Sequence, residues 1–174
     1  GIDLGTTFSA IAQLDDLGNP EVLASTDTNK KITASAVYLK EKNAVVGDKA
    51  LDALSATPKN VATETKRQME NDVVFSTQKG EWIDKEGAEE DCYSPAQVSS
   101  FILGKLKGYT SDVKKAVITV PALFAEKARV ATLDAAKMAG IEVIELINEP
   151  TAAACYYASL PAVKKITGKV LGFD

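Results

Sequence analysis

The first seven residues carry the side chains best suited to phosphate chemistry. Gly5, Thr6 and Thr7 separate two apolar stretches of β character, so they occupy the turn of a predicted β-hairpin. Glycine lets a ligand approach the backbone, and two hydroxyls beside exposed N–H groups suit phosphate oxygens. Asp3, at the end of the first strand, could face a hydrated divalent cation that accompanies the phosphates. The alternative is an ordinary hairpin with an acid near its turn.

Three carboxylates fall at or just after the ends of predicted strands, namely Asp3, Glu149 and Asp174. Parallel α/β sheets bind ligands at the carboxyl ends of their strands. Each acid alone has the simpler interpretation of a solvated loop residue, but three acids at one sheet edge favour a site. Pro150 begins a predicted helix directly after Glu149, whose carboxylate therefore lies near a positive helix end.

Composition leaves carboxylates, cations, hydroxyls or a bound ion to carry any chemistry. The 174 residues contain no histidine, which excludes Ser-His-Asp and Cys-His catalysis and histidine zinc sites. Lys66 and Arg129 are candidate cations, with a solvated surface charge as the alternative for each. A net charge of −4 argues against a nucleic-acid partner, and no apolar run reaches the length of a membrane span.

The two cysteines, Cys92 and Cys155, lack the spacing of metal ligands. We expect free thiols, with Cys155 a small buried residue, in a reducing compartment such as the cytoplasm. An organelle remains the alternative if a targeting segment precedes this sequence, and a disulfide between the two cysteines is the alternative pairing.

The apolar patterns predict a mixed α/β fold with a small inserted subdomain at roughly 40–93. Residues 1–39 have the pattern of a β-meander that ends in a strand from Ile32 to Leu39. Further strands are predicted at 44–46, 73–75, 82–83, 116–120, 142–147 and 169–173. Helices are predicted at 47–56, 60–69, after the Ser94 cap with Pro95, at 124–139 and at 151–158. In the fourth helix Ala128, Ala131, Ala135 and Met138 are predicted to face inward.

Three sequence blocks resemble the seventy-kilodalton heat-shock chaperones of the DnaK type. They are Gly1-Ile2-Asp3-Leu4-Gly5-Thr6-Thr7, the block from Ala116 to Phe124 around Val120-Pro121, and Ile147-Asn148-Glu149-Pro150-Thr151-Ala152-Ala153-Ala154. The Ser94-Pro95 helix start and the Leu171-Gly172-Phe173-Asp174 segment also match. The resemblance implies the first lobe of an actin-like (ribonuclease H-like) ATPase domain. That lobe would have a sheet-based part, 1–33 and 94–174, and an inserted part, 34–93.

The resemblance also implies a role for each candidate residue. Gly5, Thr6 and Thr7 would contact the phosphates of ATP or ADP, and Asp3 and Asp174 would contact Mg²⁺ through water. Lys66 would lie near the γ-phosphate, and Glu149 would organise hydrolysis. Pro121 and Arg129 would relay the nucleotide state to another domain. The implied partners are unfolded or extended client peptides, bound through a domain outside this chain, a J-domain co-chaperone and a nucleotide exchange factor.

The sequence departs from the family pattern at several positions. Ala34 replaces a proline, Gln68-Met69-Glu70 replaces the expected Leu-Ile-Gly-Arg pattern, and Ala125 removes the usual N-cap of the following helix. We therefore keep a non-hydrolysing co-chaperone or exchange factor as the alternative to an ATPase. Another actin-like ATPase, such as a sugar kinase or filament former, is a third hypothesis, because fold does not fix function.

Overall fold

The computed structural model describes residues 1–40, 43–88, 91–111 and 113–160, and it has a mixed α/β architecture. Its strands are β1 (Ile2–Asp3), β2 (Phe8–Leu14), β3 (Pro20–Val22), β4 (Thr33–Ala34), β5 (Val37–Lys40), β6 (Asn43–Val46), β7 (Val61–Ala62), β8 (Val73–Ser76), β9 (Glu81–Asp84), β10 (Cys92–Tyr93), β11 (Lys115–Val120) and β12 (Glu142–Asn148). Its α-helices are α1 (Asp48–Ala53), α2 (Pro95–Lys107), α3 (Glu126–Met138) and α4 (Glu149–Ser159). The predicted mixed sheet with flanking helices is confirmed.

The main sheet is mixed because β1 joins a hairpin to a parallel α/β segment. Its order is β12-β11-β1-β2-β3, with β4 paired to β2. β1 runs parallel to β11, and β11 runs parallel to β12, whereas β2 is antiparallel to β1. The carboxyl ends of β1, β11 and β12 therefore meet at one edge, where ligands of parallel sheets bind.

The core lies between this sheet and the helices α2 and α3. Ile2 and Ile118 on adjacent strands are both buried, as are Ile102 and Leu106 of α2. Helix α2 begins with the predicted Ser94 cap, completed by Gln97 as a full capping box. Helix α3 packs against α2, and the residues that α3 buries, Ala128, Thr132, Ala135 and Ala136, are all small.

The inward stripe of α3 is partly mispredicted. Ala128 and Ala135 are buried as expected, but Met138 is 53% exposed. Thr132 and Ala136 are buried instead, because they continue the Ala128 face at spacings of four residues. The Thr132 hydroxyl is satisfied there by the carbonyl of Ala128 at 2.8 Å, which explains how a polar side chain occupies this face.

The residues between β4 and α2 form two small three-stranded sheets. One has the order β6-β5-β7 and the other β10-β8-β9. The rings of Phe75 and Trp82 on paired strands meet edge to face at 5.4 Å. The indole of Trp82 donates to the carbonyl oxygen of Thr63, which ties the second sheet to the chain segment before Lys66.

Two predicted elements of this region are wrong. The strand predicted from Ile32 to Leu39 is divided into β4 and β5, which pair in different sheets. The helix predicted from Asn60 to Met69 is replaced by β7 and a short 3-10 helix, Thr65–Gln68. Pairing of β7 with β5 and the left-handed backbone of Glu64, at φ 53°, interrupt the helical pattern.

The cysteines give a mixed outcome. Both thiols are free, as predicted. Cys155 is exposed rather than buried, because the face of α4 that carries it has no covering element among the described residues.

The strand predicted at 169–173 lies outside the described residues. No helix in the described part of the chain is long and apolar enough to cross a membrane.

Candidate functional site

The turn between β1 and β2 depends on the glycine at position 5. A Cβ added to Gly5 would lie 2.0 Å from the carbonyl oxygen of Phe8, a separation that no side chain tolerates. The Gly5 N–H donates to the Ser9 hydroxyl at 3.1 Å, and Ser9 is in turn bonded to Ser35 at 2.8 Å. These hydrogen bonds of Ser9 hold the hairpin turn in place on its buried side. The half-buried Thr6 and the exposed Thr7 remain accessible at its tip.

Asp3 ends β1 with an exposed carboxylate that a neighbouring strand holds in place. The hydroxyl of Thr119, opposite Asp3 in the parallel register, donates to Asp3 Oδ1 at 2.9 Å. Sequence reasoning did not single out Thr119. The signal that could have found it is a lone hydroxyl within the apolar strand β11, one position before its end.

Lys66 and Glu149 form an ion pair between the inserted segment and the main sheet. Lys66 lies on the 3-10 helix and only 8% of its side chain is exposed, while Glu149 is the first residue of α4 and is 27% exposed. The Lys66 ammonium donates to Glu149 Oε1 and lies 6.0 Å from the ring centre of Phe124. Lys66 is therefore a buried, paired cation, and its interpretation as a solvated surface charge is wrong.

An open cleft of about 540 Å³ joins two of the predicted acids. Asp3 and Thr119 line one side, and Glu149, Ala152 and Tyr156 line the α4 side. Asp3 and Glu149 thus meet at the sheet edge where the sequence placed them. Asp174 lies outside the described residues, and Thr6, Thr7 and Lys66 are not among the residues lining this cleft.

The donor set suits a hydrated cation better than a directly caged one. In the described residues no three acids, cysteines or histidines cluster closely enough to hold a metal ion. Asp3, held through one oxygen by Thr119, offers a single carboxylate at the cleft. Mg²⁺ usually keeps several waters and is bound by one or two carboxylates together with substrate phosphates. The residues present therefore fit Mg²⁺ that is bound largely through water.

Arg129 is fixed by two acceptors rather than solvated. Its Nε donates to the carbonyl of Phe124 at 3.1 Å, and Nη2 donates to Asn148 Oδ1 at 2.8 Å. Asn148 directly precedes Glu149, and the ring of Phe124 lies beside Lys66. Pro121 follows β11 and accepts the N–H of Phe124 at 3.1 Å, which forms the turn that leads to α3. Neither Asn148 nor Phe124 was singled out from the sequence, although both lie in blocks that carry the family resemblance.

Comparison with known proteins identifies the family. The chain matches the family model described as Hsp70 protein over residues 1–165. It is 41% identical to the chaperone protein DnaK of Mycoplasmopsis agalactiae, across 100% of this chain and 27% of the relative. The corresponding figures for DnaK of Thermotoga petrophila are 37%, 100% and 28%, and for DnaK of Nitrosopumilus maritimus 38%, 100% and 27%.

The chain belongs to the Hsp70 family. It spans only about a quarter of the length of the DnaK relatives that it matches, namely 27% or 28%. The family and the mixed sheet with flanking helices together confirm the predicted actin-like ATPase fold.

Proposed function

We propose that this chain supplies one wall of the ATP-binding cleft of an ATP-dependent molecular chaperone. The Lys66–Glu149 pair carries the proposal, because it buries a cation from the inserted segment against an acid at the ligand-binding edge of the sheet. Glu149 lines the cleft and Lys66 is bound to it, so the pair places a cation and an acid where charge on a phosphate could be stabilised. We also propose that the chain divides into a sheet-based part, residues 1–33 and 94–174, and an inserted part, residues 34–93.

Phosphoryl transfer to water requires positioning and charge stabilisation rather than covalent chemistry by the protein. In this scheme the turn at Gly5, Thr6 and Thr7 binds phosphate oxygens through N–H and hydroxyl groups. Glu149 orders the attacking water, and Lys66 stabilises the charge that develops on the γ-phosphate. Asp3, and Asp174 by resemblance, would hold the hydrated Mg²⁺. When bound, Mg²⁺ neutralises phosphate charge.

The arrangement around Arg129 supports a relay role for that residue and Pro121. Helix α4 begins with Glu149, which binds Lys66, and is preceded by Asn148, which binds Arg129. A displacement of this helix start would therefore alter both contacts together. Through such a relay, ATP binding and hydrolysis would control binding and release of client peptides by a domain outside this chain. We also propose that the intact protein acts with a J-domain co-chaperone and a nucleotide exchange factor. Its proposed location is the cytoplasm.

Single-turnover ATP hydrolysis tests the proposal in a chimera in which this chain replaces the matching segment of the Mycoplasmopsis agalactiae DnaK. We expect the chimera to hydrolyse ATP and Lys66→Ala or Glu149→Ala to lower the rate at least about 100-fold, as loss of a transition-state contact does. Lys79→Ala and Glu145→Ala are matched controls, because both residues are exposed and neither belongs to the pair. Unchanged rates in the first two variants would refute the assigned roles. A chimera that binds ATP without hydrolysing it would support the non-hydrolysing alternative.

The chain alone should bind nucleotide weakly, since productive positioning requires groups from both walls of a cleft. Calorimetry with Mg-ATP should show tight binding by the chimera and little binding by the chain alone. Tight binding by the chain alone would mean that it holds a self-sufficient site, and the one-wall proposal would fail.

A further inference from the structure

The two helices of the core begin in different ways. Helix α2 has a local capping box, in which Ser94 and Gln97 satisfy each other's backbone N–H groups. Helix α3 has alanine at both corresponding positions, Ala125 at the N-cap and Ala128 three residues later, and its N-cap makes no side-chain cap hydrogen bond. The N–H groups at the start of α3 therefore have no local side-chain acceptor.

An acceptor from elsewhere in the chain is supplied by Glu70. Its Oε1 accepts the N–H of Ala125 at 3.0 Å, across 55 positions of sequence. The contact is the one that the fourth residue of a capping box normally makes, here supplied by a different part of the fold. A carboxylate at this position also lies near the positive end of the helix dipole.

A second contact joins the same two elements. Lys127, in the first turn of α3, forms an ion pair with Asp72 at 2.8 Å. The hydrogen bond from Lys127 lowers the pKa of Asp72 below its ordinary value. Both side chains are substantially exposed, so this ion pair alone contributes little to stability. It does, however, attach the chain to α3 two residues after Glu70. On the other side of Glu70, Met69 is 2% exposed within the core.

The segment held by these contacts also carries Lys66. Met69 N–H donates to the carbonyl of Lys66 at 3.3 Å, which closes the 3-10 helix directly before Glu70. We infer that Glu70 is a positioning residue, which attaches the Lys66 segment to the start of α3 in place of that helix's own cap. The inference rests on the proposed role of Lys66 in ATP hydrolysis. Its structural part is tested without nucleotide.

Amide hydrogen exchange on the chain itself gives that test. Loss of an N-cap contact costs roughly fivefold in a local equilibrium constant. Glu70→Ala should therefore raise the exchange rates of the Arg67 and Met69 amides, and of the first bonded amides of α3, by about fivefold. Glu86→Ala, an exposed carboxylate of the inserted region, is the matched control and should change neither set.

A second variant separates capping from positioning. Ala125→Ser restores a local N-cap, since Ala125 has the extended backbone that an N-cap residue needs. In the double variant with Glu70→Ala we expect α3 amides to recover while the Arg67 and Met69 amides still exchange fast. Recovery of both sets, or a rise confined to α3 in Glu70→Ala, would overturn the inference and leave Glu70 as a cap only.

The chimera connects this result to hydrolysis. Glu70→Ala should lower the single-turnover rate several-fold without a comparable loss of ATP affinity, and Glu70→Gln, which keeps an acceptor oxygen, should retain most of the rate. Lys66→Ala is measured beside them. If Lys66→Ala has no effect, the proposed function fails. If Lys66→Ala abolishes hydrolysis and Glu70→Ala leaves it unchanged, the positioning role alone fails.

Discussion

Removal of Glu149 should destabilise the chain more than removal of Lys66, although the two residues share one ion pair. Glu149→Ala leaves an ammonium group whose side chain is only 8% exposed without its carboxylate partner. Lys66→Ala leaves a carboxylate that is 27% exposed and lies on an open cleft, where water can solvate it. The two single substitutions thus differ in how well the remaining charge is hydrated.

The magnitudes follow from burial. Breaking a fully buried ion pair costs about 3–5 kcal/mol, and an exposed pair costs about 0–1 kcal/mol. Because this pair is partly solvated, we expect about 2 kcal/mol for Glu149→Ala and about 1 kcal/mol for Lys66→Ala. For a chain of this length, the larger value corresponds to a fall in Tm of roughly 4–8 °C.

Urea denaturation of the chain and its variants provides the assay. The double variant should cost less than the sum of the single variants, because the second substitution removes the charge that the first left unpaired. Glu145→Ala, an exposed acid on β12, should change the free energy of unfolding by less than about 0.5 kcal/mol. Equal costs for Glu149→Ala and Glu145→Ala, or strictly additive single costs, would refute the argument that Lys66 is a buried, paired cation.

Three further predictions concern the turn, the cleft and acid stability. Gly5→Ala should displace the β1–β2 turn, because the added Cβ would lie 2.0 Å from a backbone oxygen. Changed NMR shifts of the turn amides and a loss of Mg-ATP affinity in the chimera would show this displacement. Thr119→Val removes the 2.9 Å hydrogen bond to Asp3 and should weaken Mg-ATP binding several-fold with little change in stability, whereas unchanged affinity would exclude an orienting role. The pKa of Asp27 is lowered chiefly by the hydrogen bond from Lys105, so its stabilisation is present above about pH 4 and is lost as pH falls through the folded-state pKa. Asp27→Asn should therefore flatten the acid limb of the unfolding free energy, and an unchanged slope in denaturation between about pH 5 and pH 2 would contradict this.

Local patterns predicted the elements whose determinants lie close together in sequence. Ser94 and Pro95 predicted the start of α2, and the structure has that start, with Gln97 completing the cap. The apolar run at 116–120 likewise predicted a strand, and β11 lies there, between β1 and β12 in the main sheet. In both cases neighbouring residues supply the hydrogen bonds and the burial that stabilise the element.

Predictions failed where distant strand pairing competes with local periodicity. The segment from Asn60 to Met69 was predicted as a short helix, but Val61 and Ala62 pair with β5 instead. The chain after Thr33 continues as β sequence, yet it leaves the main sheet where the Ser35 N–H donates to the Thr7 carbonyl at 2.8 Å. A single sequence contains no information on which of these distant partners a segment will meet.

The same distinction divides the candidate site. Asp3 and Glu149 could be assigned to one sheet edge because parallel strands bring their carboxyl ends together. The partners of Lys66 and Arg129 could not be assigned, because Glu149 lies 83 positions from Lys66 and Asn148 lies 19 positions from Arg129. The alternative of solvated surface charges was therefore sound from sequence and is removed only by the observed burial and hydrogen bonds.

Two departures from the family pattern turn out to be a single feature of the fold. By the resemblance, Glu70 and Ala125 depart from the family pattern at separate places in the sequence, and each alone suggests divergence. In the structure the Glu70 carboxylate accepts the Ala125 N–H, so a helix start without a local cap has a distant acceptor. The two residues together thus give a satisfied helix start. It is therefore a weaker argument for a non-hydrolysing protein than the sequence alone suggested.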